Sequence, residues 1–309
     1  MTTPLRAQAP AKVNLALAVT GLRDDGYHLL RSVFLRLALH DELEVQLDRA
    51  AAADSLVIDG DLRASPDNLV LRAAATLRSA IDPALPPLRF RLVKRIPAAA
   101  GLGGGSSDAA AAIDLALEAW SVRLDSAARM DVALRRGADV PFFAAGHGVA
   151  LAEGIGEHLV ALSPPQPPVG LLLITPQRRL STPGVFAELD RQGLHGLGAS
   201  ERVDEIAALL RAEVDAATLA ATMETLREAN DLWAPAAHLS PGLAATRDAA
   251  SRILGRALML SGSGPTLFAV YPSEAAATGA AIRLQSERPA GLEDAFIMTT
   301  TSVARGGHR

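Results

Sequence analysis

The stretch Pro97-Ala98-Ala99-Ala100-Gly101-Leu102-Gly103-Gly104-Gly105-Ser106-Ser107 decides the fold. Before it, apolar residues alternate with Arg89 and Arg91 over 88–92, which predicts a strand whose chain continues to Ile96. After it, an alanine-rich run predicts a helix from about 106–108 to Trp120. Glycine tolerates positive φ and lets a backbone approach an anion closely, so successive N–H groups in such a loop can converge on phosphate oxygens. The helix behind it adds the positive end of its dipole. Ser106 and Ser107 are placed either to cap that helix or to offer a hydroxyl to phosphate or magnesium. A glycine run alone is more often a plain flexible loop. Here strand, loop, hydroxyl pair and helix follow in the order that a phosphate site requires.

Two familiar phosphate loops fail on particular residues. A Walker loop places lysine and then Ser or Thr after its last glycine, and no lysine follows Gly105. A dinucleotide fingerprint needs glycine where Ser106 stands after Gly101 and Gly103.

Outward from the loop, the 309 residues suit two domains, because a single core of ordinary size serves about 150 residues. Ser163-Pro164-Pro165-Gln166-Pro167-Pro168 cannot lie inside a helix or strand, so the expected boundary divides 1–163 from 164–309. In the first part, strands are predicted over 11–19 and 41–47, with a turn at Asp25-Gly26 between them. A further helix is expected over 126–136, capped by Ser126 and stopped by Gly137. The second part carries predicted strands at 169–174 and 266–271 and helices around 203–210 and 219–229. That irregular succession points to a mixed α+β architecture rather than a doubly wound parallel sheet.

Composition narrows the function. Apolar residues make up 49% and charged residues 21%, the balance of a globular protein. The net charge is −4 and the cations are scattered, which disfavours nucleic acid as a partner. Absence of cysteine removes disulfides, thiolate metal sites and thiol nucleophiles. The first residues contain no apolar signal core, and no stretch approaches the ~18 apolar residues of a membrane span. A cytoplasmic protein with no membrane partner is expected, its oligomeric state open.

Three more segments join the loop: Ala9-Pro10-Ala11-Lys12-Val13-Asn14, Gly137-Ala138-Asp139-Val140-Pro141 and Ser261-Gly262-Ser263-Gly264. Together, and in this order, they resemble the GHMP kinase superfamily. Pro-Ala-Lys-Val-Asn-Leu, Asp-Gly-Tyr-His and Gly-Leu-Gly-Gly-Gly-Ser-Ser are most similar to the branch that phosphorylates a cytidine diphosphate derivative of methylerythritol. The resemblance implies a two-domain α+β fold with the active site in the interdomain cleft, ATP as donor with Mg2+, and a small-molecule acceptor. By the same resemblance Lys12 and Asp139 are the catalytic pair, and residues 97–107 bind ATP. Asn14, Tyr27, His28, Thr182, Pro183 and Phe186 then bind the acceptor. The loop departs from the family at Ala98-Ala99-Ala100, where glycine is common. Each site residue has an ordinary alternative, such as a solvent-facing strand lysine for Lys12 or a core ring for Phe186. Homoserine- or mevalonate-type kinases and a nucleotide-binding regulator without turnover are the competing functions. The remaining histidines, His40, His147, His158, His195, His238 and His308, show no metal-ligand spacing, and Asn230-Asp231 reads as a helix stop.

Overall fold

The computed structural model describes residues 3–59, 65–194, 198–226, 228–287 and 291–303; His195 and His308 lie outside them. Six strands form the first sheet: β1 (Leu5–Leu22), β2 (His28–Leu47), β3 (Ser55–Ile58), β4 (Leu88–Val93), β5 (Val149–Gly154) and β6 (His158–Leu162). Its order is β3-β4-β2-β5-β6 with β1 also paired to β2, and every pairing is antiparallel except β3 with β4. Four helices accompany it, α1 (Leu69–Ile81), α2 (Gly104–Trp120), α3 (Ser126–Leu134) and α4 (Val140–Ala144).

Beyond the proline-rich segment come β7 (Gly170–Thr175), α5 (Thr182–Gln192), α6 (Ala199–Arg211), α7 (Ala216–Thr225), α8 (Trp233–Leu239) and α9 (Pro241–Leu254). The chain closes with β8 (Met259–Leu260), β9 (Leu267–Tyr271), α10 (Glu274–Glu287) and β10 (Phe296–Thr301). The second sheet is antiparallel in the order β10-β7-β9-β8. Helices and sheets are mixed as expected, and among the described residues no strand crosses from one sheet to the other.

The strand predicted over 11–19 runs further at both ends, and its two faces are both buried. Val13, Leu15 and Ala16 join one apolar cluster shared with β7, α6 and α7, while Leu17 and Val19 join another around α5, α8 and α9. A strand covered on both sides loses the polar-out alternation of a half-solvated sheet. Behind β1 and β2 lies α2, whose buried face from Ala109 to Ala112 is nearly all methyl groups, so the helix axis sits close to the sheet. The loop entering α2 meets β1 at Lys12, whose N–H donates to Leu102 O.

Two capping expectations are corrected. Asp125, not Ser126, caps α3, its carboxylate accepting from Ala128 N at 2.8 Å. Gly103, in the left-handed region at φ 70°, precedes α2 with no side-chain cap, so Ser106 and Ser107 stand inside the first turn. Asn230-Asp231 also does more than stop a helix. Asp231 accepts from Val19 N (2.8 Å) and Ala199 N (3.2 Å), while Asn230 Nδ2 donates to Leu260 O (2.8 Å) and Gly262 O (2.9 Å). The pair therefore ties β1 to the second half of the chain.

Candidate active site

A cleft of about 1090 Å³ opens between the two sheets' helices and loops. Every residue predicted for the site lines it except Ser107, which is buried with its hydroxyl unpartnered. Of the two serines, Ser106 is thus the one that faces the cleft.

The glycine-rich loop hangs between the halves. Lys12 N donates to Leu102 O at 2.9 Å, Ser261 Oγ to Gly101 O at 2.9 Å, and Thr266 N to Ala100 O at 3.3 Å. Gly101 has φ +76°, and a Cβ there would lie 2.3 Å from Ser261 O. A Cβ on Gly103 would meet Phe143 Cζ at 2.9 Å and Lys12 Cγ at 3.0 Å. The glycines are required by close chain packing as much as by room for an anion. Ala99 holds φ 52° without being glycine, a conformation that costs an alanine about 1 kcal/mol.

Deep in the cleft, Lys12 Nζ donates to Asn14 Oδ1 at 2.7 Å, lies 3.2 Å from Asp139 Oδ2 and stands 4.6 Å above the centroid of Phe34. Asn14 Nδ2 donates to Ser32 Oγ at 2.8 Å, and Ser32 in turn to Ala16 O. Lys12 is buried, whereas the Asp139 side chain keeps 31% of its surface exposed. A buried ammonium with three fixed neighbours is a preorganised charge, and the exposed carboxylate oxygen is open to a reacting hydroxyl.

At the other end His28 and Phe186 are stacked, their ring centroids 4.6 Å apart and planes 30° from parallel. His28 Nε2 meets Asp190 Oδ1 at 2.8 Å. Thr182-Pro183 does not form a free turn. It opens α5 behind the Ser181 cap, and Thr182 Oγ1 meets Ser263 Oγ at 2.8 Å. Tyr27, in the β1–β2 turn, presents an exposed ring to the cleft.

Several groups at the cleft were not visible as site residues in the sequence. Lys94 Nζ bridges Asp41 and Asp108, the latter at 2.8 Å, directly beside Gly104. Burial pushes the Asp108 carboxyl up to about 7, and the nearby Asp41 charge adds to the rise against Lys94's opposing pull. Lys94 itself is raised: burial opposes the charge, but the two carboxylates outweigh it. Asp41, Lys94 and Asp108 are 53 and 14 residues apart along the chain, so no local motif joins them. Among the described residues no group of three or more His, Asp or Glu forms a metal cluster.

The model for the N-terminal domain of GHMP kinases matches residues 68–147, and that for the C-terminal domain matches 206–288. A 4-diphosphocytidyl-2-C-methyl-D-erythritol kinase of Granulibacter bethesdensis is 39% identical over 290 residues, covering 92% of this chain and 91% of its own. The chain belongs to the GHMP kinase family. A kinase of the same name from Cereibacter sphaeroides is 39% identical over 92% of this chain and 95% of its own. The crystal structure of a 4-(cytidine 5'-diphospho)-2C-methyl-D-erythritol kinase superposes with TM-score 0.73 at 32% identity, covering 97% of this chain and all of that one. Homoserine kinase from Cytophaga hutchinsonii (TM-score 0.70, 17% identity, 99% of this chain and 96% of that one) shares the fold. As a GHMP kinase the chain is an enzyme that uses ATP on a small molecule, and its α+β fold is the one its motifs predict.

Two outcomes follow from the loop and its surroundings. Gly103→Val forces a β-branched residue into positive φ and into Phe143 and Lys12, so a folded variant should bind ATP at least about tenfold more weakly by calorimetry. Parental affinity in the folded variant would remove this loop from the nucleotide site. The second concerns pH. A carboxyl raised in the folded state to about 7 binds its proton more tightly than in the unfolded chain, so its stabilisation is complete at low pH and fades as pH climbs towards and past 7. Asp108→Asn should therefore flatten the decline of Tm between about pH 5 and pH 8, measured without nucleotide or divalent cation. An unchanged slope would show that Asp108 ionises normally.

Proposed function

We propose that the cleft phosphorylates the 2-hydroxyl of 4-diphosphocytidyl-2-C-methyl-D-erythritol with the γ-phosphoryl group of ATP, releasing the 2-phosphate and ADP in non-mevalonate isoprenoid precursor biosynthesis in the cytoplasm. The observation that carries it is the Lys12–Asp139 contact of 3.2 Å beside the glycine-rich loop, in a chain 39% identical to kinases named for that acceptor. No described helix is long and apolar enough to cross a membrane, which agrees with a freely diffusing phosphorylated substrate.

Phosphoryl transfer needs two oxygens in line and charge neutralised on the group in flight, with little covalent work from the protein. Asp139 accepts the proton of the attacking hydroxyl as its oxygen bonds to the γ-phosphorus and the bond to the bridging oxygen of ADP breaks. Lys12 offsets the negative charge on Asp139 and on the transferring group. Asn14 keeps Lys12 aimed through Oδ1 and retains one lone pair and one amide hydrogen for the acceptor's hydroxyls. The N–H groups of 97–107 and the start of α2 hold the phosphates. Ser106, the serine that lines the cleft, would be the hydroxyl to hold a nucleotide-bound Mg2+, which would supply neutralisation of phosphate charge.

The cytosine base rests against the His28–Phe186 stack, with Tyr27 as a second ring and Thr182-Pro183 closing the edge. Stacking does not tell cytosine from uracil; a hydrogen bond to the edge bearing the amino group does. His28, anchored by Asp190, is placed for that bond. The likeness to homoserine kinase extends to the fold and brings no acceptor with it. A regulator without turnover would have no use for a buried ammonium held against an exposed carboxylate.

Asp139→Asn is nearly isosteric, and turnover should fall by about two to four orders of magnitude with ADP affinity unchanged. Turnover within a few-fold of the parent would take the base role from Asp139. For the acceptor, Phe186→Ala should lose about 1–3 kcal/mol of base stacking and raise the acceptor's KM far more than that of ATP. His28→Ala should narrow the kcat/KM preference for cytidine over uridine diphosphate acceptors. Equal use of both acceptors by the parent, or efficient phosphorylation of homoserine or mevalonate, would sink the substrate assignment and leave the kinase intact.

A further inference from the structure

Arg36 is 2% exposed, and its β2 position pairs in register with Lys12 on β1, as Phe34 pairs with Asn14. Directly opposed residues of an antiparallel pair carry their side chains on one face of the sheet. The guanidinium reaches the carbonyls of Phe143 at 3.1 Å and Phe142 at 3.4 Å, and lies 6.0 Å from the ring centroid of Phe143 and 5.6 Å from that of Phe142. Among the described residues its Nε has no partner. Burial lowers its proton affinity to a pKa of about 10, and among the described residues no carboxylate raises it. A buried cation without an anion is unfavourable, and an apolar residue of similar size in its place is often neutral or stabilising. Something other than stability must therefore account for a charge at this position.

The segment it grips supplies the reason. Phe142 and Phe143 belong to α4, a single turn that begins at the residue after Asp139. So short a helix has little stability of its own, and its direction is set from outside. Lys12 holds the residue just before it through the Asp139 carboxylate, and Arg36 holds its far end through two carbonyls. Phe143 also fills the space where a Cβ of Gly103 would stand, and Phe142 packs edge-on against Phe34, the ring beneath Lys12.

We infer that Arg36 is a positioning residue for phosphoryl transfer: by clamping the end of α4 it fixes the Asp139 carboxylate against Lys12 and the acceptor hydroxyl. The inference rests on the proposed role of Asp139. A carboxylate displaced by about 1 Å lowers the rate without changing what the site binds.

Arg36→Met and Arg36→Lys, each alone and combined with Asp139→Asn, test it in the full-length chain, with folding checked by near-ultraviolet circular dichroism and ADP affinity. Arg36→Met should lower kcat about 10- to 100-fold while both KM values stay within about threefold, and Arg36→Lys, which keeps a charged donor, should recover most of the loss. In the Asp139→Asn background Arg36→Met should change the residual rate by less than about threefold, because the group it positions is gone. Parental kcat in folded Arg36→Met, no recovery with lysine, a loss confined to KM, or an equal loss in the Asp139→Asn background would each overturn the inference. If Arg36→Met does not fold, Arg36→Gln, whose neutral amide keeps a donor to the carbonyls, replaces it in the same cycle with an expected loss of about 3- to 10-fold. Should Asp139→Asn alone keep parental turnover, the role of Asp139 falls first; absence of coupling alone removes Arg36 and leaves that role standing.

Discussion

A buried lysine ammonium has to be surrounded before anything else in the molecule can be arranged. Lys12 has left water almost entirely, and such a transfer is tolerated only when hydrogen bonds and an opposite charge replace the lost hydration. Asn14 supplies the hydrogen bond, Asp139 the charge and Phe34 a face of π electrons. These come from β1, from the entrance of α4 and from β2. Satisfying one cation thus brings together the strand that opens the chain, its sheet neighbour and a loop more than a hundred residues away.

The same strand holds the two halves of the chain together. Leu17 N donates to Ala229 O at 2.7 Å, Asp231 N returns the bond to Leu17 O at 2.9 Å, and the Asp231 carboxylate takes Val19 N. On the other side of the cleft, Ser261 leans on Gly101 closely enough that no side chain fits between them. The phosphate loop is therefore placed by contacts from both halves. Under the proposed function, a cleft built this way would hold donor and acceptor at a set separation, which is what in-line transfer asks of a scaffold.

Much of this was legible in the chain. The order of strand, glycine loop and alanine-rich helix and the Lys12 and Asp139 motifs are all local signals, and Lys12, Asp139 and the loop from Pro97 to Ser106 line one cleft. Local signals fail where partners are distant. The alternation over 11–19 marks a strand but not its burial: both faces of β1 are covered, because clusters from distant helices close over it. Asn230-Asp231 looked like a helix stop because its partners, Val19, Leu260 and Gly262, lie far off in sequence. Arg36 looks like one more cation in an apolar strand until the register sets it opposite Lys12. The serines after Gly105 illustrate a smaller failure. Hydroxyls there suit a cap, yet Gly103 in left-handed φ starts the helix three residues earlier than Ser106.

Two lysines stand at the cleft beside carboxylates, and their surroundings separate their roles. Lys94 is shared between Asp41, fully buried, and Asp108, whose side chain is 5% exposed, so one cation answers two carboxylates in a closed space. Burial pushes the Asp108 carboxyl up to about 7, with the nearby Asp41 charge adding to the rise, and its enclosed side chain is closed to an incoming hydroxyl. Lys12 faces one carboxylate, and that carboxylate keeps nearly a third of its side-chain surface open to the cleft. The charges balance one to one, a proton can arrive, and the cation stays fixed while it does. In the proposed mechanism the chemistry falls to Lys12 and Asp139, while the other trio, from within β2, the residue after β4 and the second turn of α2, anchors the chain entering the glycine-rich loop through Ile96 N.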